Sequence, residues 1–371
     1  MKFYKVFILF FFCVYTKTSL VNGEESYWWR VAVSPHVLNQ NGYHAQYLKH
    51  HPSQRGLIKK VVHTSTSECQ RLFKYNRWNC KSTNPLKPFG DIVDIGCRET
   101  AFIYALTSAS LTYHVIRECS QGRIYGCYNR CVKPENVKLQ HTRLLNSTHI
   151  KNEACDDNIK FGVNVWKDFV FKGEKSSDIR AIFNVRNSQL GLQEVYKSAG
   201  LVCRCHGVSG SCVVKICSEK IPNNFRKIST PIYQKYTEAH FNPLNQKIVE
   251  QNSKQIVRLR EIINRKKAKT RLPSRRKRGY IADVKQLEFY DFSPDYCRKS
   301  RYSAGIKHRA CPRYVSADQY KAGVRSCDDL CCYGRGAKRV ERIVRSNCRF
   351  VYCCEVNCKE RKEMVDEYFC V

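Results

Sequence analysis

Negative charge is scarce in this chain of 371 residues: 32 Asp and Glu face 65 Lys and Arg, for a formal net charge of +33. Long apolar runs are scarcer still. Val6 to Tyr15 is too short to span a bilayer, and no other segment reaches eighteen apolar residues, so no membrane-spanning helix is expected. Nucleic-acid-binding motifs are absent, so the positive charge is not read as a nucleic-acid footprint. No catalytic constellation survives inspection either, and the chain is read as a binding protein, not an enzyme.

What is present begins at the N-terminus. Lys2 and Lys5 precede the apolar run, and Val21-Asn22-Gly23 offers a small residue at a cleavage point. Residues 1–23 are therefore expected to be a secretory signal peptide. Secretion makes disulfides the default state of cysteine. The chain has 22 cysteines, and loss of Cys13 with the leader leaves an odd number. At least one thiol is then unpaired or pairs between chains. Losing Lys2, Lys5 and Lys17 takes the net charge from +33 to +30. Such a charge steers polyanions from long range, and outside the cell those are sulfated glycosaminoglycans. A solvated basic surface without a single partner is the alternative.

The most informative stretch is Cys203-Arg204-Cys205-His206-Gly207-Val208-Ser209-Gly210-Ser211-Cys212, closing at Cys217. If Cys205 pairs with Cys212 and Cys203 with Cys217, the bridges nest and Val208-Ser209-Gly210 forms the tip of a stapled hairpin. Closing a loop of this size is worth roughly 3 kcal/mol through the unfolded state. Zinc ligation by the same cysteines and histidine is a rival reading. A hydrolase elbow is another, but Ser211 stands where that motif needs glycine.

This run resembles the signature of the Wnt family of secreted signalling proteins, position by position. The resemblance continues through Arg77-Trp78-Asn79-Cys80, Gly96-Cys97-Arg98-Glu99-Thr100-Ala101-Phe102 and Cys155-Asp156-Asp157-Asn158-Ile159-Lys160-Phe161-Gly162. It extends to Cys327-Asp328-Asp329-Leu330-Cys331-Cys332-Tyr333-Gly334-Arg335-Gly336, with Tyr333 inserted. The context of Cys97 resembles the family's founding subgroup. The family's Trp-x-Trp-Gly-Gly run is missing, and Ile150-Lys151-Asn152-Glu153-Ala154 stands there instead.

The fold class expected is α+β and disulfide-rich. Apolar spacing points to helices over Gly56–Phe73, interrupted at Thr64 to Ser67, and over Arg98–Tyr113, Gly162–Val170 and Asp178–Tyr196. These belong to a helical N-terminal domain, residues 24–241, that carries a protruding hairpin at 203–217. Residues 242–286 form a basic linker. Residues 287–371 form a small cystine-rich β domain with a second hairpin at 348–358.

The resemblance implies the roles of both hairpins. The first is the family's thumb, with Ser209 esterified by palmitoleate and flanked by Val208 and Gly210. The second is its index finger, with Phe350, Tyr352, Cys353, Cys354 and Val356 at the receptor-gripping tip. The resemblance also implies the pairs Cys69–Cys80, Cys119–Cys127, Cys131–Cys155, Cys297–Cys332, Cys311–Cys327, Cys331–Cys370, Cys348–Cys358 and the adjacent Cys353–Cys354. Cys97 is left unpaired. Two further family cysteines, which pair with each other, are replaced by Ser346 and Arg361.

Asn146-Ser147-Thr148 is an expected N-glycosylation site. Arg275-Arg276-Lys277-Arg278 reads as a polyanion patch, a processing site or a solvated linker. No resident cofactor or metal is expected. The family's partners, implied in turn, are Frizzled receptors, an LDL-receptor-related coreceptor, the Porcupine acyltransferase and the Wntless carrier during secretion, and heparan sulfate proteoglycans. The implied location is the extracellular space and matrix, and the implied role is developmental signalling.

Overall fold

The computed structural model describes residues 28–29, 42–82, 84, 87–127, 130–131, 155–174, 179–206, 212, 214–243, 284–321, 324–351 and 355–371. The expected leader, Asn146, the 207–211 tip, Arg275 to Arg278 and Tyr352 to Cys354 lie outside them. No helix among the described residues is long and apolar enough to cross a membrane.

The N-terminal body is helical. It contains α1 (Tyr43–His50), α2 (Arg55–Leu72), α3 (Arg98–Ser120), α4 (Ile159–Trp166, continued as a π-turn over Lys167–Phe171), α5 (Ile179–Ser198) and α6 (Arg226–Thr237). α3 is the axis. Every residue from Glu99 to Ile116 is buried, so this helix has no solvent face. The expected one-sided stripe described only part of it.

A helix enclosed on all sides needs small or satisfied side chains. Ser108 donates to Ser188 O at 2.5 Å, Trp166 Nε1 donates to Ser108 Oγ at 2.6 Å, and Thr107 and Thr112 donate to carbonyls within the helix. Gly191 lets α5 approach closely, since a Cβ there would lie 1.9 Å from Ala105 O. Aromatic rings fill the ends. Trp28 meets Phe169, Trp29 meets Tyr104 and Phe89, and Phe73 meets Trp78, Phe102 and Tyr236.

The expected break in α2 is absent: the helix is continuous from Arg55 to Leu72. Ser65 and Thr66 return their hydroxyls to Val61 O and Val62 O, and Thr64 Oγ1 meets His114 Nε2 at 2.9 Å. Tertiary and local bonds thus satisfy hydroxyls that propensity alone counts against a helix.

Three ribbons project from or attach to this body. β1 (Arg130–Cys131) pairs with β2 (Cys155–Asp156), and β3 (Gly200–His206) pairs with β4 (Val214–Lys220), both antiparallel. β5 (His240–Phe241) pairs in parallel with β6 (Glu288–Phe289). Val284, Leu287 and Tyr296 are buried in the helical core. The segment expected to open the C-terminal domain therefore belongs to the first body.

The C-terminal lobe follows. It contains β7 (Ala310–Cys311), α7 (Ala317–Lys321), α8 (Cys327–Leu330), β8 (Arg335–Val351) and β9 (Glu355–Cys370), in sheet order β7-β9-β8. Its core is small: Ile306, Cys311, Cys327, Leu330 and Cys370. The hairpin expected at 348–358 is only the outer end of a much longer one.

Two outcomes test this packing. Gly191→Ala should raise helix propensity yet destabilise the protein by about 2–3 kcal/mol, because α5 must move off α3. An unchanged or raised melting temperature would show that the approach is not tight. His114 is buried and its pKa is lowered to about 4, chiefly by burial, then by Lys60. Its neutral form is the folded one, so its contribution is complete above pH 6.5 and fades as pH falls towards 4. That contribution is on the order of 3 kcal/mol. Urea midpoints should fall between pH 7 and pH 4.5, and His114→Gln should flatten that fall.

Candidate functional site

The thumb is built from strand pairing. Gly200 lies opposite Lys220 and His206 opposite Val214, with Cys203 directly opposite Cys217. The bridge Cys203–Cys217 spans this pair with Cα atoms 4.0 Å apart, and Cys205–Cys212 closes the ribbon nearer its end. A short pair distance is that of facing residues that exchange no ladder hydrogen bond. The described ladder stops at His206 and Val214, so Val208, Ser209 and Gly210 lie outside the described residues; their scaffold does not. Leu201 and Val202 are about half exposed along the stem.

The thumb's base rests on two carboxylates. Asp157 has a side chain only 1% exposed; its Oδ1 accepts from Ser120 Oγ and Lys220 Nζ, and its Oδ2 accepts from Ile221 N. Its own amide donates to Glu219 O. Asp156 Oδ1 accepts from Glu219 N at 2.7 Å. Asn158 then caps α4 by accepting from Phe161 N. One tripeptide therefore ties α3, α4 and β4 together. In the sequence, Asp156, Asp157 and Asn158 stand out only as part of the Cys155 motif. The available signal was two acids beside a helix cap in an acid-poor chain.

The finger is a two-stranded ribbon, and β8 alone would extend over about 55 Å at strand rise. Phe350 faces Val356 near its outer end, 74% and 60% exposed. Cys348–Cys358 staples it just behind them, where Asn347 takes a positive φ of 49° and the register shifts. That is a bulge with an αL residue, which re-aims the tip. Tyr352, Cys353 and Cys354 lie outside the described residues.

Among the described residues, no layer covers the finger. Its strands are held by opposite charges instead: Arg342–Glu367 at 2.8 Å, Arg345–Glu360 at 2.9 Å, Lys362–Glu341 at 2.6 Å and Arg339–Asp366 at 3.4 Å. Ser346 lies opposite Lys359 and Arg361 opposite Val344, a diagonal pair with Arg345–Glu360 between.

The remaining expected cysteines also have places. Cys69–Cys80, Cys119–Cys127, Cys297–Cys332, Cys311–Cys327 and Cys331–Cys370 are joined. Cys155 is disulfide-bonded and faces Cys131 in the β1–β2 pair. Cys97 is free and fully buried, and burial, with Glu99 nearby, pushes its thiol up to about 12. A thiol held protonated in this way is a poor nucleophile. The sulfurs of Cys311, Cys331 and Cys370 cluster within 4.8 Å. They belong to two bridges, so they offer no thiolate to a metal. Asn146, Arg275, Arg276, Lys277 and Arg278 lie outside the described residues.

Comparison with known proteins accords with this architecture. A sequence model of the Wnt family matches residues 37–371. The chain is similar to Wnt-5b of Ambystoma mexicanum, 30% identical over 92% of this chain and 93% of that one. It is similar to Wnt-2b-A of Xenopus laevis, 31% identical over 93% and 92%. Among solved structures, human WLS in complex with WNT8A gives a match with a TM-score of 0.54. That match has 25% identity and covers 86% of this chain and 94% of that chain.

Asp157→Ala should remove the partners of three donors at the thumb's base and destabilise the protein by about 3 kcal/mol. Hydrogen exchange should speed up at the β3 and β4 amides and stay unchanged at β8 and β9. Equal acceleration in both hairpins would mean that Asp157 supports the whole body, not the thumb.

Proposed function

The chain belongs to the Wnt family, and from that premise we propose that it is a secreted, lipidated ligand for the cysteine-rich domain of Frizzled receptors. Members of this family are signalling ligands, not enzymes. The carrying observation is the thumb: a ribbon with two bridges, between whose strands Ser209 is the middle residue of 207–211 in the sequence. A ribbon without a core is suited to present an acyl chain, not to enclose a reacting substrate. Palmitoleate on Ser209, added by a Porcupine-type acyltransferase, forms one grip. The apolar end of the finger, with Phe350 and Val356 exposed, forms the other.

The rest of the reading follows from these parts. A Wntless-type carrier escorts the acylated chain, as the human complex with WNT8A suggests by likeness. Arg275 to Arg278 and the net charge of +33 support capture by heparan sulfate in the matrix. An LDL-receptor-related coreceptor completes the signalling complex. Asn146 carries the glycan.

Burying an acyl chain yields about 0.8 kcal/mol per methylene, so a largely buried chain supplies on the order of 10 kcal/mol before ordering costs. Ser209→Ala should therefore lose detergent partitioning and most affinity for a soluble Frizzled domain. Intact mass of the secreted protein decides the site: an acyl group still present on the alanine variant overturns the assignment to Ser209.

A further inference from the structure

The two grips sit on opposite sides of residues 244–283: the thumb on the N-terminal half and the finger on the C-terminal half. Each bridge between described cysteines lies within one half, with Cys69–Cys80, Cys119–Cys127, Cys203–Cys217 and Cys205–Cys212 before the connection. Cys297–Cys332, Cys311–Cys327, Cys331–Cys370 and Cys348–Cys358 lie after it.

The halves nevertheless meet through polar bonds in three places, the first of them buried. At the first, the chain that leaves at β5 is zipped to the chain that returns at β6. His240 N donates to Leu287 O at 2.8 Å and Asn242 N to Phe289 O at 2.7 Å. Asn187 acts as a further strand partner, giving Nδ2 to Glu288 O and taking Glu288 N on Oδ1. The Glu288 carboxylate is buried and meets Arg186 at 2.7 Å and Asn242 Nδ2 at 3.1 Å.

At the second, Gly96 is held from both sides. Tyr290 N and Asp291 N donate to its carbonyl, and its own amide donates to Asp291 Oδ2. A Cβ on Gly96 would lie 2.1 Å from the Tyr290 ring. Three residues on, in the first turn of α3, buried Glu99 accepts from Tyr236 of its own half and from Ser293 of the other.

At the third, Arg309 reaches from the C-terminal lobe to the carbonyls of Lys74, Asn76 and Arg77, just past the end of α2. Arg77 answers by donating to Leu330 O, and Arg301 pairs with Asp94. A guanidinium on three carbonyls of the loop after α2 satisfies acceptors that no ladder supplies with donors.

We propose that these contacts form a non-covalent clasp, and that the clasp, not the 244–283 connection, sets where the finger stands relative to the thumb. Arg309, Glu288 and Asp291 are its positioning residues. The protein cut within the connection is then an intact two-chain ligand. The part of this that concerns receptor binding rests on the Frizzled reading above; the part that concerns assembly does not.

The test uses the full secreted chain with a sequence-specific protease site inserted between residues 260 and 275. After cutting, a non-reducing denaturing gel should show two fragments, and a sizing column without denaturant should show one peak holding both. Affinity of the cut protein for a soluble Frizzled domain should stay within threefold of the uncut one. In 2 M urea, Arg309→Gln should hasten separation of the cut halves at least tenfold. Arg313→Gln, an exposed arginine of the same lobe outside the clasp, should not. Separation of the halves on the column overturns the clasp. A single band on the non-reducing gel overturns it as well, since a disulfide would then join them. One peak with a collapsed affinity overturns the positioning role alone. An uncut protein that fails to bind Frizzled overturns the receptor reading, while the column still decides the clasp.

Discussion

Both projecting hairpins are two-stranded ribbons, and a two-stranded ribbon in water buries too little to offset the entropy of ordering it. Everything that holds these ribbons follows from that. Cys203 and Cys217 bridge a directly facing pair, and Cys348–Cys358 sits just behind the exposed Phe350–Val356 pair. Covalent closure acts mostly on the unfolded chain, so it stabilises even where the folded state has no core to improve. Along the finger the remaining work falls to charge. β8 is rich in arginine, and β9 carries Glu360, Glu363, Asp366 and Glu367. Each exposed pair contributes little alone. Arranged in one register, they disfavour every slip that would set like charges face to face.

The helical body supplies what the ribbons lack. Its axis, α3, is enclosed on all sides, and three of the places where another part attaches are marked by a buried carboxylate. Asp157 sits at the thumb's base, Glu99 where Ser293 arrives, and Glu288 where the chain returns from the connection. A buried carboxylate without partners is costly, and with them it is directional. Greasy contact alone would let a hairpin or a lobe slide. An acid that must meet a particular amide, hydroxyl and cation does not allow it. In a chain with twice as many bases as acids, these few acids are spent at junctions.

Several features were legible without coordinates, for physical reasons that act locally. Apolar spacing marked α3 and α5, because a helix buries what recurs on its face. Dense cysteines marked both hairpins, because a secreted chain with closely spaced cysteines crosslinks. Other features depended on neighbours distant in sequence. The Thr64 to Ser67 stretch reads as a break, yet it stays helical because its hydroxyls find carbonyls one turn back and His114 across the core. The finger reads as eleven residues and extends through β8 and β9. Its inner ladder carries no repeating apolar face, and strand signals read from alternation fail on a ribbon solvated on both sides.

The amino-acid order by itself determined the class of this protein: a basic, crosslinked chain of the Wnt family, helical first and cystine-rich after, with Ser209 between two bridged cysteines. Those properties reside in composition and in residues close together along the chain. Only the tertiary structure decided where the halves meet. Leu287 to Tyr296 read as the opening of a second domain, but Leu287 and Tyr296 lie in the core of the first. Asn187 and Glu288 are a hundred and one residues apart and act as strand partners. Arg309 ends its search on three carbonyls more than two hundred residues upstream. Such pairings satisfy buried polar groups, and which donor reaches which acceptor is fixed by the packing of the whole chain, not by any stretch of it.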